Sequence, residues 1–124
     1  MRLVNGVAIV DLTGAITVGQ TSAGLKNRLS ALLEQGHTRI LLNLAEVTHV
    51  DSSGLGEMVS FYSSTVRKGG LLKLLNPNKS VSDLLRFTRL DTLLEVCRDE
   101  VSAVAGFSST KLGQGRQSLS EFLD

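Results

Sequence analysis

Apolar residues along this chain fall into two alternating rhythms, and the alternation predicts an α/β domain. Residues 7–12, Val-Ala-Ile-Val-Asp-Leu, are β-branched and apolar, and Thr13-Gly14 after them reads as a turn, so a strand is expected. A second short strand over 15–18 is expected to fold back on it as a hairpin. From residue 21 to 35 the period lengthens. Leu25, Leu29, Leu32 and Leu33 stand at i, i+4, i+7 and i+8, one face of an amphipathic helix, with Gly36 where a C-terminal cap belongs.

The run 39–44, Arg-Ile-Leu-Leu-Asn-Leu, is a compact, mainly apolar stretch whose shortness and Ile/Leu content favour a strand buried on both faces, and such strands belong to parallel sheets covered by helices. The next helix is expected to start within Asp51-Ser52-Ser53, and Leu55, Met58, Val59, Tyr62 and Val66 carry its inward stripe until Gly69-Gly70 ends it. Residues 71–75 read as a strand and Asn76-Pro77-Asn78 as a turn. Val81, Leu84, Leu85 and Thr88 read as the inward stripe of a short helix, 93–97 as a last strand and 99–105 as a closing helix. Strand and helix therefore alternate, with crossovers expected to be right-handed, and no internal repeat is visible.

A chain of 124 residues, 42% of them apolar, suits one compact domain, expected over 1–107. Residues 108–124 are rich in Ser, Gly, Gln and basic residues, with Leu119, Phe122 and Leu123 near their end, and read as a flexible tail. Thirteen Lys and Arg against twelve Asp and Glu, with no like-charged run, give no footprint for nucleic acid. Neither a cationic leader nor an apolar stretch of about 18 residues is present, so a cytoplasmic protein that does not insert into a membrane is expected. The single cysteine, Cys97, forms no internal disulfide and stands at no metal-ligand spacing, so an inert thiol and no metal site are expected. His37 and His49, the only histidines, read as solvated.

The stretch that carries chemistry is Val47-Thr48-His49-Val50-Asp51-Ser52-Ser53-Gly54-Leu55-Gly56, where a strand-like run breaks into two hydroxyls and two glycines at a helix start. Unpaired amides and the positive end of the helix dipole accommodate a phosphate there, and the small Gly54 and Gly56 are expected to let another protein approach the backbone.

The segment resembles the D-S-S-G-L-G signature of the STAS domain, the fold of bacterial anti-sigma factor antagonists. Around it, Val10-Asp11-Leu12-Thr13-Gly14 resembles the family's first hairpin, Leu41-Leu42-Asn43-Leu44 its strand before the motif, and Lys68-Gly69-Gly70 its turn after the motif helix. The likeness spans about residues 3–107. It implies a single domain with a mixed, mostly parallel sheet of four to five strands and flanking helices. It also implies phosphorylation on Ser52 and partner binding through Asp51, Ser52, Ser53, Gly54 and Gly56. The partner so implied is an anti-sigma factor that doubles as a serine protein kinase, held by the unphosphorylated antagonist and released on phosphorylation, with a PP2C-type phosphatase resetting the switch. One departure is visible, since Ala15 and Thr17 stand where the family often has an acidic pair.

An enzyme reading would make Ser52 a nucleophile, but no G-x-S-x-G elbow exists and His49 is the only base nearby in sequence. Gly54-Leu55-Gly56 opens a G-x-G-x-x-G pattern that Val59 breaks, so no nucleotide cofactor is expected. The competing function within the family is that of a structural subunit, of a stress-signalling scaffold or of an ABC-type lipid transporter, in which Ser52 carries no phosphate.

Overall fold

The structure is a computed structural model that describes residues 1–16 and 20–109. Its strands are β1 (Arg2–Val4), β2 (Val7–Ile16), β3 (Arg39–Val50), β4 (Leu71–Leu75) and β5 (Glu95–Cys97). Its helices are α1 (Gln20–Glu34), α2 (Ser52–Arg67), α3 (Lys79–Phe87) and α4 (Glu100–Ser109), with a 3-10 turn at Leu90–Thr92. The strands form one sheet in the order β1-β2-β3-β4-β5. Only the β1–β2 pair is antiparallel. The expected mixed, mostly parallel sheet with flanking helices is therefore the observed one.

Alternation along the strands sorts the core into two layers. Ala8, Val10 and Leu12 of β2, Ile40, Leu42 and Leu44 of β3, and Leu72 and Leu74 of β4 pack with Leu29, Leu32 and Leu33 of α1. Leu55, Met58, Phe61 and Tyr62 of α2 and Val81 and Leu85 of α3 join the same layer. The intervening positions Val7, Ile9, Leu41, Leu71 and Leu75 face the other way and meet Ala103, Val104 and Phe107 of α4. A strand with both faces covered needs apolar residues on both, which is why 39–44 and 71–75 read as mainly apolar runs rather than as alternating ones.

Beside and beneath α4, that second face also carries polar groups that pair with one another. Arg2 bridges Asp11 at 2.7 Å and Glu100 at 2.8 Å, joining the edge strand to β2 and to α4. The Asn43 amide donates to the same Asp11 carboxylate at 2.7 Å. Lys73, in the middle of β4, has a side chain only 5% exposed; its ammonium lies 3.2 Å from Glu95. It also sits 4.8 Å from the centre of the Phe107 ring, so ion pair and aromatic face share the same cation.

Three expectations are corrected. The first hairpin does not lie at Thr13-Gly14, because β2 runs on unbroken to Ile16. The hairpin is β1–β2, closed by Asn5 and Gly6 at φ 50 and 82, and positive φ at both turn positions suits the twist of a two-residue connection. Second, β3 continues six residues past Leu44 to Val50, where it pairs with β2 alone. Third, Thr88 is exposed and caps the end of α3, its hydroxyl donating to the Leu84 carbonyl at 2.8 Å, so the inward stripe of α3 is Val81 and Leu85 with Leu84 partly covered. The expected last strand shortens to Glu95–Cys97, with Leu93 and Leu94 buried just after the 3-10 turn, and the closing helix lengthens to Ser109. Thr17, Val18, the Leu25 side chain and the tail beyond 109 lie outside the described residues.

Two stability predictions arise here. The Arg2 guanidinium, with help from the Asn43 amide, holds the Asp11 carboxyl down to about 2. A depressed carboxylate stabilises the fold fully above its unfolded value near 4, and that contribution is lost as pH falls from there through 2. Asp11→Asn should therefore lower the thermal midpoint by a few degrees at pH 7, the effect of a solvent-screened pair, with the difference shrinking as pH falls below about 4 and vanishing only below about 2. Lys73 gives the second. Glu95→Gln strands a buried ammonium and should cost about 1–2 kcal/mol, less than a fully buried pair because the Glu95 side chain is 40% exposed. Lys73→Met, which removes the charge and keeps the volume, should cost less than Glu95→Gln in urea unfolding.

Candidate functional site

The long β2–β3 ribbon positions the site. Beyond Asn43, β3 has no partner in β4, and its pairing with β2 slips twice, between Asp11 and Thr13 and again between Gly14 and Ala15. Seven residues at about 3.3 Å each carry the chain roughly 20 Å from the body of the sheet to Val50, opposite Ile16. There the Asp51 amide donates to the Ile16 carbonyl at 3.2 Å, the last ribbon bond before the chain turns into α2.

Asp51 is the N-cap of α2, with extended backbone at φ −97 and ψ −178. Its carboxylate accepts from the Gly54 amide at 2.8 Å, and its carbonyl accepts the first intrahelical bond, from Leu55, at 2.9 Å. This is the cap expected where Asp precedes Ser-Ser-Gly. Ser52 and Ser53 occupy the first two helical positions and are both exposed. Their amides fall within the first turn, where no carbonyl of the helix itself can receive them.

Gly54 differs from the expectation that its missing side chain admits a partner. It is buried, and a Cβ there would collide with the Ile16 carbonyl and press on the Ile16 side chain. The glycine serves an internal approach of α2 to β2. Gly56 is the exposed one, with open space where its Cβ would stand. So the structure brings Asp51, Ser52, Ser53 and Gly56 to the surface side of the first two turns and turns Gly54 inward.

His49 is exposed near the end of β3 and lines a groove against α3 with Val50, Leu84 and Phe87. Cys97 is half-buried, and burial together with the neighbouring Glu95 pushes its thiol up to about 11. A thiol so raised is a poor nucleophile. Arg86 lies 3.7 Å from Asp83, and Arg98 donates to the Pro77 carbonyl at 3.1 Å. Among the described residues no three His, Cys, Asp or Glu side chains gather as metal ligands, and no helix is long and apolar enough to cross a membrane.

With that geometry in place, the relatives of the chain can be compared. Residues 1–103 match the STAS domain family, and the chain belongs to it. A Thermotoga neapolitana protein assigned to the anti-sigma factor antagonists is 36% identical over 95 residues, 77% of this chain and 84% of that one. The anti-sigma-B factor antagonist of Bacillus subtilis is 31% identical over 87 residues, 70% of this chain and 78% of its own length. The crystal structure of a Thermotoga maritima protein of the same assignment superposes with a TM-score of 0.81 at 25% identity, covering 86% of this chain and 92% of that one. By sequence and by fold, then, the chain falls with the anti-sigma factor antagonists.

The two glycines supply a paired prediction. Gly54→Ala should cost about 1–3 kcal/mol, as overpacking against fixed backbone does. Gly56→Ala, in open space inside a helix, should instead stabilise by about 0.5–1 kcal/mol. Thermal unfolding of both variants reads the difference in sign.

Proposed function

We propose that this protein is an anti-sigma factor antagonist working as a partner switch. With Ser52 unmodified it binds an anti-sigma factor that is also a serine kinase; that kinase phosphorylates Ser52, and the phosphorylated protein lets go. A PP2C-type phosphatase returns it to the binding form. The observation that carries this reading is an exposed serine at the first position of α2, behind an aspartate cap and beside a second exposed serine, in a chain whose antagonist relatives reach 36% identity.

The physics of the site supports release. A phosphate on Ser52 adds roughly −1.5 to −2 charge at neutral pH. It would stand next to the Asp51 carboxylate on a surface that a bound partner removes from water. Moving a two-state equilibrium from 1:99 to 99:1 takes about 5.5 kcal/mol. The helix dipole contributes at most about 2 kcal/mol, and favourably to the phosphate, so it does not drive dissociation. Lost contacts and like charges brought together across the interface, several kcal/mol in all, are of the required size.

The test uses wild type, Ser52→Ala and Ser52→Asp as baits in native extract, with mass spectrometry of the captured proteins and of the wild-type bait. An anti-sigma factor kinase held by Ser52→Ala, weakened at least tenfold on Ser52→Asp, with phosphate on wild-type Ser52, is the expected result. A scaffold protein or a transporter ATPase retained equally by all three, with Ser52 unmodified, would replace this reading with that of a structural subunit.

A further inference from the structure

At the end of the sheet far from Ser52, the first residue of β3 holds a cation that the described residues leave unmatched. Val4 pairs with Val7, and Arg39 stands one residue before Ile40, the partner of Ala8, so Val4, Val7 and Arg39 form a row across β1, β2 and β3. All three lie on the α4 side, since Val4 and Val7 pack in that layer and Arg39 is two residues before Leu41, which does the same. The Arg39 guanidinium leans back along the row, its Nη1 3.8 Å from where a Cβ on Gly6 would stand. Its Nε is buried without a hydrogen-bond partner, and none of the ion pairs among the described residues includes it. Arg2 and Lys73 on the same face each meet a carboxylate, so Arg39 is the exception. A guanidinium partly withdrawn from water with no acceptor in return gains most from an incoming carboxylate.

Beside this cation a groove runs between β1 and α4. It is a cavity of about 200 Å3, with Val4 and Asn5 on one wall and Val101, Val104 and Ala105 on the other. Asn5 precedes Gly6, which puts Arg39 at that end, while Glu100 lies at the opposite end and is held by Arg2 at 2.8 Å. The groove therefore has a closed ion pair at one end and an open cation at the other. Val101 on its rim is 77% exposed. What fits is an extended segment with an acid followed closely by an apolar residue.

We propose that residues 119–123 of this chain, Leu-Ser-Glu-Phe-Leu, occupy the groove, with the Glu121 carboxylate on Arg39 and the Leu123 side chain between Val4 and Val104. In extended backbone Leu119, Glu121 and Leu123 share one side at steps of about 6.6 Å, and Ser120 and Phe122 take the other. Charge complementarity selects this stretch: the charged residues of 110–118 are Lys111 and Arg116, which Arg39 repels, and Glu121 is the first acid after α4. Reach is ample. Twelve steps from Ser109 to Glu121 span up to about 40 Å, against about 15 Å for the whole of α4. A tethered segment meets its groove at an effective concentration in the millimolar range, so one ion pair and one apolar contact suffice to populate the docked form. The family match ends at residue 103 and assigns nothing to this segment. Nor does the inference depend on the role of Ser52, because Val7 and Ile16, at the two ends of β2, lie about 30 Å apart.

The experiment is paramagnetic broadening of amide signals in the full chain, carrying Cys97→Ser and a nitroxide attached through Ser120→Cys. The signals of Val4, Asn5, Val104 and Ala105 should broaden, equally so on dilution, and the broadening should fall about threefold with Glu121→Gln or Arg39→Gln and on raising the salt to 1 M. Arg39→Glu combined with Glu121→Arg should restore it. Because Arg39 is partly buried, Glu121→Gln is the variant that decides. Absence of broadening at these four residues, or broadening that Glu121→Gln leaves unchanged, overturns the proposal. So does broadening of a 15N-labelled chain by a nitroxide carried on a second, unlabelled chain, which would assign the groove to another copy of this protein.

Discussion

The contact on which the placement of the site depends is the approach of the first turn of α2 to the Ile16 carbonyl. That oxygen receives the Asp51 amide and lies where a Cβ on Gly54 would stand. With any larger residue at 54, the helix would tilt off the ribbon, and the direction in which Ser52 and Ser53 face would change with it. Asp51 works from the other side of the junction, its carboxylate holding the Gly54 amide and its carbonyl the Leu55 amide. Leu55 and Met58, one and two turns in, anchor the same helix in the core. Ribbon, cap, glycine and core stripe thus specify one orientation between them, and two exposed hydroxyls result.

The two faces of the sheet are built on different terms. α1, α2 and α3 cover one face with side chains that are apolar but for the buried Thr65, whereas on the other α4 covers an apolar stripe and Lys73 and leaves Asp11, Asn43 and Glu95 at its margins. One helix cannot shield five strands, so the remaining positions carry groups that satisfy one another. The site sits at the end of the better-packed face, where the ribbon that carries it is anchored by Leu44, Val47 and Val50. That arrangement lets a surface be chemically modified without the core being touched.

Much of this could be read from the residues. The apolar runs at 39–44 and 71–75 marked buried parallel strands, and the stripe from Leu55 to Tyr62 marked the helix behind the motif. Asp51-Ser52-Ser53 marked its cap. The misplaced hairpin came from weighing Thr13-Gly14 as a turn while passing over Asn5-Gly6, the stronger hairpin signal, in a strand only three residues long. The extension of β3 to Val50 was hidden because a two-stranded ribbon exposes alternate positions, so Ala45, Glu46, Thr48 and His49 break the apolar run. The inward role of Gly54 could not be found locally at all, since what it makes room for belongs to a strand nearly forty residues earlier.

The location of the site also bears on how a phosphate there would act. At the first position of α2 it would face amides that no helical carbonyl satisfies, a setting in which anions are stabilised. The Asp51 side chain, bonded to the Gly54 amide, would oppose it from the neighbouring position. The two effects act on the free protein in opposite directions and are each of the order of 1–2 kcal/mol. Neither is large enough to unfold α2, whose stripe alone buries Leu55, Met58, Phe61 and Tyr62 at about 1.5–3 kcal/mol each. In the proposed switch, therefore, the fold tolerates both states of Ser52, and the discrimination must reside in the partner's surface.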